Sequence, residues 1–278
     1  PRRPVSNNLR RILTALVAAP LFVTVAYLGG WWFATALIVI GWGAQHELYG
    51  MAEASGAAPH RVFGFGLGAL LVVLILRPDL WIAALALLVL GLVAAPFVLP
   101  SAQFLTSLSV TVFGAFYPTG MLGALVVLRE ARGGWVDADS AFWLVLMTFF
   151  VVWATDIFAY YVGRAAGSRK LAPTISPNKT WEGAIGGAVA AVLIAIAFKV
   201  LVVPMGWLDA LAIGAIAGVL GQVGDLLESQ LKRSTGVKDA SSLLPGHGGL
   251  LDRFDSMVVV APLVLLYLYQ VAGVFGGG

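Results

Sequence analysis

The stretch LWIAALALLVLGLVAAPFVL, residues 80–99, decides the fold class of this chain. It runs for twenty residues without a charged side chain. A helix needs about 20 apolar residues to cross the hydrocarbon core of a bilayer, so this stretch is long enough to span one. Because lipid offers no water to backbone N–H and C=O groups, only helices and closed barrels cross it. The apolar residues are continuous rather than alternating, which favours a helix over a barrel strand.

The composition of the whole chain agrees with that interpretation. Of its 278 residues, 60% are hydrophobic and 11% are charged, and the mean hydropathy is +0.92. A soluble domain carries about a quarter charged residues, so these figures exclude a water-soluble fold. The absence of cysteine excludes disulfides, thiolate metal sites and cysteine nucleophiles. The net charge of +3 fits contact with anionic lipid headgroups. The cations form no basic face with interleaved aromatics, so nucleic acid is not expected as a partner.

Nine apolar segments predict an all-α, polytopic integral membrane protein with about nine transmembrane helices. We expect a single membrane domain over residues 1–278, in which an N-terminal helical scaffold (1–139) precedes a catalytic half (140–278). The apolar segments are residues 9–28, 31–54, 62–76, 80–99, 104–128, 141–162, 181–203, 207–231 and 254–274.

The distribution of lysine and arginine predicts the orientation of these spans. With the N-terminus in the cytoplasm, thirteen of these cations face inward, three face outward, and Lys199 lies within the seventh span. Cytoplasmic loops carry an excess of this kind. We therefore expect a multi-pass protein of the cell inner (plasma) membrane, with the N-terminus and the polar loops 164–180 and 232–253 on the cytoplasmic side.

Asp156 is the first candidate functional residue, because it lies within the otherwise apolar sixth span. Tyr160 and Arg164 follow it at spacings that place all three on one face of a helix. An ionisable residue at membrane depth is a functional candidate by default. The alternative is a structural partner for Arg164 or Lys179, and both interpretations remain open on the sequence alone.

The stretch SPNKTWEG, residues 176–183, predicts a helix start with Thr180 or Ser176 as its cap. Free N–H groups at a helix start, its positive dipole end and a lysine together favour anion binding. The alternative is an ordinary cap with a lysine reaching to the interface and an interfacial tryptophan. No Walker-type motif is present in the chain, which excludes P-loop chemistry. The candidate residues of this stretch are Ser176, Asn178, Lys179, Thr180 and Glu182.

The third group lies at the end of the eighth span and the start of the ninth. In GDLLESQLKR, residues 224–233, one helical face carries Asp225, Glu228, Ser229 and Lys232. In LDRFDS, residues 251–256, Asp252, Asp255 and Ser256 share a second face. A glycine-rich cationic loop joins the two, and carboxylates with phosphates as co-ligands are typical of a Mg²⁺ site. His247 in that loop is interpreted as a phosphate contact or a passive loop residue, since no histidine spacing fits a zinc site.

At this third group the sequence resembles the CDP-diacylglycerol synthases, also called phosphatidate cytidylyltransferases. The resemblance covers the C-terminal half and rests on a motif from Ser229 to Asp255. It implies the Mg²⁺-dependent reaction of CTP with phosphatidate to give CDP-diacylglycerol and pyrophosphate. It also implies a site open to the cytoplasm and to the bilayer, a homodimer, and a metal centre at Asp225 and Asp252 with K⁺ as a second ion. The motif residues are Ser229, Lys232, Arg233, Lys238, Asp239, Ser241, Leu244, Pro245, His247, Gly248, Gly249, Asp252, Arg253 and Asp255.

The resemblance also supplies a list of expected site residues. The catalytic candidates are Asp225, Asp252, Lys232, Arg233, Lys238, Asp239, His247 and Arg253. The substrate-binding candidates are Asp156, Ser176, Asn178, Lys179, Thr180, Glu182, Ser229 and Asp255. Which cation contacts pyrophosphate and which contacts phosphatidate stays open. Because a lipid phosphate is already a nucleophile, catalysis would consist mostly of positioning and charge neutralisation.

Other functions remain as alternatives. A CTP-dependent polyprenol or phytol kinase, or a cytidylyltransferase acting on an archaeal ether lipid, would keep the fold and change the substrate. An ion-coupled transporter is an alternative of another class, but it would place ionisable groups mid-membrane on several spans of two matched halves. Here the charges gather at one side and in loops, which favours chemistry on a lipid headgroup.

Overall fold

The fold is built from helices, as the hydropathy of the chain predicts. The computed structural model describes residues 7–99, 101–237 and 248–274. Within those ranges nine long helices, two 3₁₀ turns (Pro78–Leu80 and Ser101–Gln103) and a single two-stranded hairpin make up the regular structure, so the predicted all-α membrane class is confirmed. The elements are α1 (Asn7–Leu28), α2 (Gly30–Ala54), α3 (Arg61–Leu76), α4 (Trp81–Val98), α5 (Phe104–Glu130), α6 (Ala138–Ala166), β1 (Lys170–Ala172), β2 (Ser176–Thr180), α7 (Trp181–Leu201), α8 (Trp207–Ser234) and α9 (Leu251–Gln270).

Five of the described helices are long and apolar enough to cross a membrane: α4 with the turn before it, α5, α6, α7 and α8. Helix α4 shows what their outer surface is like, since Ile82 is 64% exposed, Leu90 63% and Phe97 87%. Large apolar side chains exposed in such numbers mark a surface made for lipid rather than water. The total of nine spans remains a prediction.

The chain divides into two compact units. The first comprises residues up to Gly123 together with 234–253, and the second comprises 124–233 together with residues from Phe254 onward. The proposed division into a scaffold and a catalytic half at residue 139 therefore stays a prediction of the sequence.

A hydrogen-bonded chain of polar side chains lies in the core of the first unit. Thr119 Oγ1 donates to Gln45 Oε1 (2.8 Å), Gln45 Nε2 donates to Tyr49 Oη (2.7 Å), and Tyr49 Oη donates to the carbonyl of Thr111 (2.7 Å). All four residues are buried. A buried polar group without a partner costs several kcal/mol, so this chain of bonds fixes how α2 and α5 pack.

Helices α6 and α7 pack closely in the second unit because glycines face the neighbouring backbone. A Cβ atom on Gly183 would lie 2.6 Å from the carbonyl oxygen of Ala159, and one on Gly187 would lie 2.6 Å from that of Thr155. The sequence spacing of these two glycines predicts small-residue packing between membrane helices, and the structure confirms it. Asp137 caps the start of α6, where the N–H of Ser140 donates to its carboxylate (2.8 Å) and lowers the pKa of Asp137.

This packing leads to a stability prediction. Replacing Gly187 with alanine should lower the free energy of unfolding by about 1–3 kcal/mol, as overpacking does, because the new methyl group meets backbone that cannot rotate away. The matched control is Gly66→Ala on α3, where a Cβ would meet nothing within 4 Å. Thermal unfolding of both variants in detergent provides the measurement. Equal melting temperatures for the two variants would contradict the close α6–α7 contact.

Candidate active site

A cavity of about 410 Å³ lies within the second unit, where α6, β2, the start of α7 and α8 approach one another. Its lining mixes small residues with groups of both charges. The polar lining residues are Asp156, Tyr160, Arg164, Asn178, Lys179, Thr180, Gln222 and Asp225. The structure thus brings Asp156 from the sixth span to the same cavity as Lys179 and Asp225, although the three are far apart in sequence.

A β-hairpin places the residues before α7. Strands β1 and β2 pair antiparallel, with Lys170 opposite Thr180 and Ala172 opposite Ser176. Thr180 then caps α7, since its Oγ1 accepts the N–H of Gly183 (3.2 Å). Of the two caps that the sequence allows, Thr180 is therefore the one used. Ser176 lies at the far end of β2, and the strand itself was not predicted.

Lys179 and Asp225 form an ion pair at the cavity. The Nζ of Lys179 lies 2.6 Å from Oδ2 of Asp225, and their side chains are 22% and 32% exposed. Ser229, one turn along α8, donates to the other carboxylate oxygen of Asp225 at 3.4 Å. The contact between Asp225 and Ser229 confirms that they share a helical face, and the partial exposure leaves Asp225 within reach of a ligand in the cavity.

Asp255, on α9, is a buried carboxylate of this unit, with an exposed fraction of 9%. Its Oδ1 accepts the N–H of Ser256 (2.6 Å), and it interacts electrostatically with Asp225, Asp156 and Lys179. Helix α9 comes this close to α8 because Gly224 has no side chain: a Cβ there would lie 2.7 Å from the carbonyl oxygen of Asp255. Three carboxylates therefore interact near one ammonium group.

A second ion pair on α8 joins Glu228 and Lys232, whose carboxylate and ammonium groups are 2.5 Å apart. Glu228 is 1% exposed and Lys232 16%, so this pair is almost enclosed by protein. The i,i+4 spacing predicts their contact. Arg233 is more exposed and directs its Nε towards the carbonyl of Ile175 in the hairpin turn, at 3.4 Å. The structure therefore places Lys232 on a buried partner and Arg233 near the β-hairpin.

Glu182 has a local bonding role. Its carboxylate accepts the hydroxyl (2.7 Å) and the N–H (3.1 Å) of Ser168 and the N–H of Arg169 (3.3 Å). These bonds hold the segment between α6 and β1 against the first turn of α7. Its predicted contact with substrate remains a prediction, and the geometry gives Glu182 a part in shaping the hairpin that carries Lys179.

The remaining motif residues lie in the first unit or outside the described ranges. Asp252, in the first turn of α9, accepts the N–H of Gly249 at 3.1 Å, and Arg253 beside it is exposed. The predicted residues Lys238, Asp239 and His247 lie outside the described residues. Across residues 7–99, 101–237 and 248–274, no group of three or more His, Cys, Asp or Glu side chains is gathered as a metal-binding cluster.

Gln222 is a cavity residue that sequence reasoning missed. Its side-chain amide donates to the carbonyls of Ala184 (2.9 Å) and Gly218 (2.5 Å), which ties α8 to α7 at the cavity wall. A side-chain amide within an apolar span is a weaker indication of a functional site than a carboxylate or a lysine is. Its position three residues before Asp225, on the same helical face, is the signal that could have identified it.

The chain also shows clear similarity to known proteins. The sequence model of the cytidylyltransferase family matches residues 9–271. A Brucella abortus biovar 1 (strain 9-941) protein named phosphatidate cytidylyltransferase is 38% identical over 265 residues, which cover 95% of this chain and 94% of that relative. A Staphylococcus saprophyticus protein of the same name is 34% identical over 268 residues, covering 94% and 99%. One from Bacillus subtilis (strain 168) is 50% identical over 119 residues, covering 42% and 44%. The chain therefore belongs to the cytidylyltransferase family.

Proposed function

We propose that this membrane protein transfers the cytidylyl group of CTP to phosphatidate, forming CDP-diacylglycerol and pyrophosphate. The observation that carries the proposal is the cavity in which Lys179 and Asp225 meet, within a chain that matches this family over nearly its whole length. Relatives that align with more than nine-tenths of the chain bear the name phosphatidate cytidylyltransferase.

The reaction needs no protein nucleophile. A phosphate oxygen of phosphatidate attacks the α-phosphorus of CTP, and the bond from that phosphorus to the oxygen bridging it to the β-phosphorus breaks. Pyrophosphate carries away the electron pair of that bond. The obstacle is repulsion between two anions, so the protein must hold them together and offset their charge.

The charges lining the cavity suit that task. Lys179 and Arg164 offer cations to phosphate oxygens, and the start of α7 adds the positive end of a helix dipole. Arg164 donates to Tyr160 Oη at 3.1 Å, which holds its guanidinium at the cavity wall. We assign Lys179 to a phosphate of the substrates, for which it would exchange its contact with Asp225.

The carboxylates fit a hard divalent cation. Asp225 and Asp156 line the cavity, and the buried Asp255 interacts with both, so acidic groups are concentrated where anionic substrates would bind. Oxygen ligands from one or two carboxylates, completed by phosphates and water, are what Mg²⁺ takes. Asp225 would hold this ion, and the resemblance of the motif adds Asp252. When bound, Mg²⁺ supplies charge stabilisation at the phosphates; K⁺ as a second ion and a homodimer belong to the same proposal.

The first test is a product assay. The purified protein, given CTP, Mg²⁺ and phosphatidate in detergent, should release pyrophosphate and form a CDP-lipid, and EDTA should stop the reaction. Diacylglycerol or a polyprenol should not replace phosphatidate, because the mechanism needs a phosphate on the lipid as nucleophile. Chromatography of the nucleotide products separates the outcomes. Release of CDP would indicate a kinase. Turnover only with an archaeal ether-lipid phosphate would indicate that lipid as the substrate. No turnover with any lipid phosphate would favour the ion-coupled transporter.

The second test concerns the proposed metal ligand. Asp225→Asn keeps the shape of the side chain and removes its charge, so turnover should fall by at least about 10²–10³-fold, the loss typical of one electrostatic group. The matched control is Asp209→Asn on the same helix, because that carboxylate bonds the hydroxyl of Tyr267 (2.8 Å) and the N–H of Gly206 (3.0 Å). It should lower stability and leave the Mg²⁺ dependence unchanged. Near-normal rates for Asp225→Asn at ordinary Mg²⁺ would refute the assignment.

The third test concerns the orientation of the chain in the membrane. We propose that the protein lies in the inner membrane with its β-hairpin on the cytoplasmic side. The chain has no cysteine, so single cysteines report cleanly. Thr174→Cys in the hairpin turn and Ala138→Cys at the start of α6 lie at exposed positions on either side of the 29-residue helix α6. In intact cells an impermeant maleimide should label only the cysteine at position 138. Labelling of position 174 alone would show that the topology is the opposite of the one proposed.

A further inference from the structure

Glu47 is a buried carboxylate that the sequence motif does not include. It lies on α2 in the first unit, 2% exposed, in a helix whose other residues near it are mostly apolar. Taking a carboxylate out of water costs several kcal/mol unless hydrogen bonds and charge compensate it. The contacts of Glu47 show where that compensation comes from.

Both oxygens of Glu47 accept backbone N–H groups at the start of α9. The N–H of Leu250 donates to Oε1 (2.9 Å) and the N–H of Leu251 donates to Oε2 (2.7 Å), across more than 200 residues of sequence. The first N–H groups of a helix have no acceptor within the helix, and its positive dipole end favours an anion. Glu47 therefore caps α9 from another helix. The same two N–H groups are consequently occupied by protein and are not open to a substrate phosphate.

A side chain at residue 249 would displace the two carboxylates beside it. A Cβ atom on Gly249 would lie 2.7 Å from Oε2 of Glu47 and 3.1 Å from Oδ2 of Asp252. The N–H of Gly249 in turn donates to Oδ2 of Asp252 (3.1 Å). Three successive N–H groups, at residues 249, 250 and 251, are therefore held by two carboxylates, and Asp252 is oriented by the same turn of chain that Glu47 fixes.

We infer that Glu47 is a positioning residue for the transfer reaction: by capping the amides of Leu250 and Leu251 it fixes the turn that aims Asp252. This inference rests on the function proposed above, in which Asp252 belongs to the metal centre. Glu47 touches neither substrate in this role. It acts through the backbone of the motif, and small displacements of such groups cost about 10²-fold in rate.

The test combines hydrogen–deuterium exchange with kinetics on the full-length protein. Glu47→Gln keeps the volume of the side chain but turns one acceptor into an NH₂ group that faces an N–H. In EDTA, without substrates, exchange of the amides at 250 and 251 should become about ten- to a hundredfold faster, while peptides from α6 and α7 stay unchanged. With CTP and phosphatidate, kcat should fall by about 10²-fold, with little change in the KM for CTP.

The matched control is Glu53→Gln, six residues further along α2. Glu53 is 43% exposed and its partner is the side chain of Arg61 (2.7 Å) rather than α9, so neither exchange at 250–251 nor kcat should change. Unchanged exchange at those amides in Glu47→Gln would overturn the capping role whatever the activity. Faster exchange with a normal kcat would overturn the positioning role.

A second variant covers the case in which Glu47→Gln fails to fold. Gly249→Ala leaves the buried charge in place and pushes its carboxylate away from the turn, so it should give the same local increase in exchange and the same loss of kcat. A folded Gly249→Ala protein with wild-type exchange and kcat would overturn the inference. Absence of cytidylyl transfer in the wild-type protein would instead refute the proposed function, while the exchange result would still decide the cap.

Discussion

The candidate site depends on the ion pair between Lys179 and Asp225. It joins the ammonium group proposed to contact a phosphate to the carboxylate proposed to hold the metal ion. One partner comes from the hairpin before α7 and the other from α8, and both line the cavity. Their exposure, 22% and 32%, is that of groups at the edge of water rather than beneath it. Because water reaches both groups, neither charge is left fully buried when the pair separates, unlike the charges of an enclosed pair. The pair can therefore keep the site charged and ordered while remaining available for exchange against phosphate.

The second pair on α8 has the opposite character. Glu228 is 1% exposed and bonds Lys232 within the same helix. Breaking a buried pair by removing one partner leaves an uncompensated charge, which costs several kcal/mol. Two carboxylates three residues apart thus differ in role because they differ in burial within the protein. The partly exposed Asp225 is placed to meet a ligand, whereas the buried Glu228 holds Lys232 in place. The sequence alone shows only that both belong to one face.

The features predicted from sequence are those set by residues close together in the chain. Twenty apolar residues predict a spanning helix, a threonine or serine before a helix start predicts a cap, and glycines four residues apart predict a close helix contact. The features missed depend on distant partners. Lys179 needs Asp225 on α8. The hairpin is a local exception: Ala172 pairs with Ser176 only four residues away, but the short strand SPNKT shows no alternation of apolar and polar residues that would predict it. Helix α8 also contains a π-helical turn at Ile216–Leu220. Such a turn inserts one extra residue, which rotates the helical face on which the preceding residues lie, and hydrophobic periodicity does not reveal it.

The start of α9 shows why a helix boundary can also depend on a distant partner. Hydropathy predicts the ninth span from Phe254, because the residues before it are charged, but the helix begins at Leu251. The additional turn is stable because Glu47, more than 200 residues away, accepts the N–H groups that the helix cannot satisfy itself. The apolar N-terminal part of the chain is therefore more than a scaffold for the motif. It supplies the carboxylate that decides where the motif helix starts, and with it the direction in which Asp252 points.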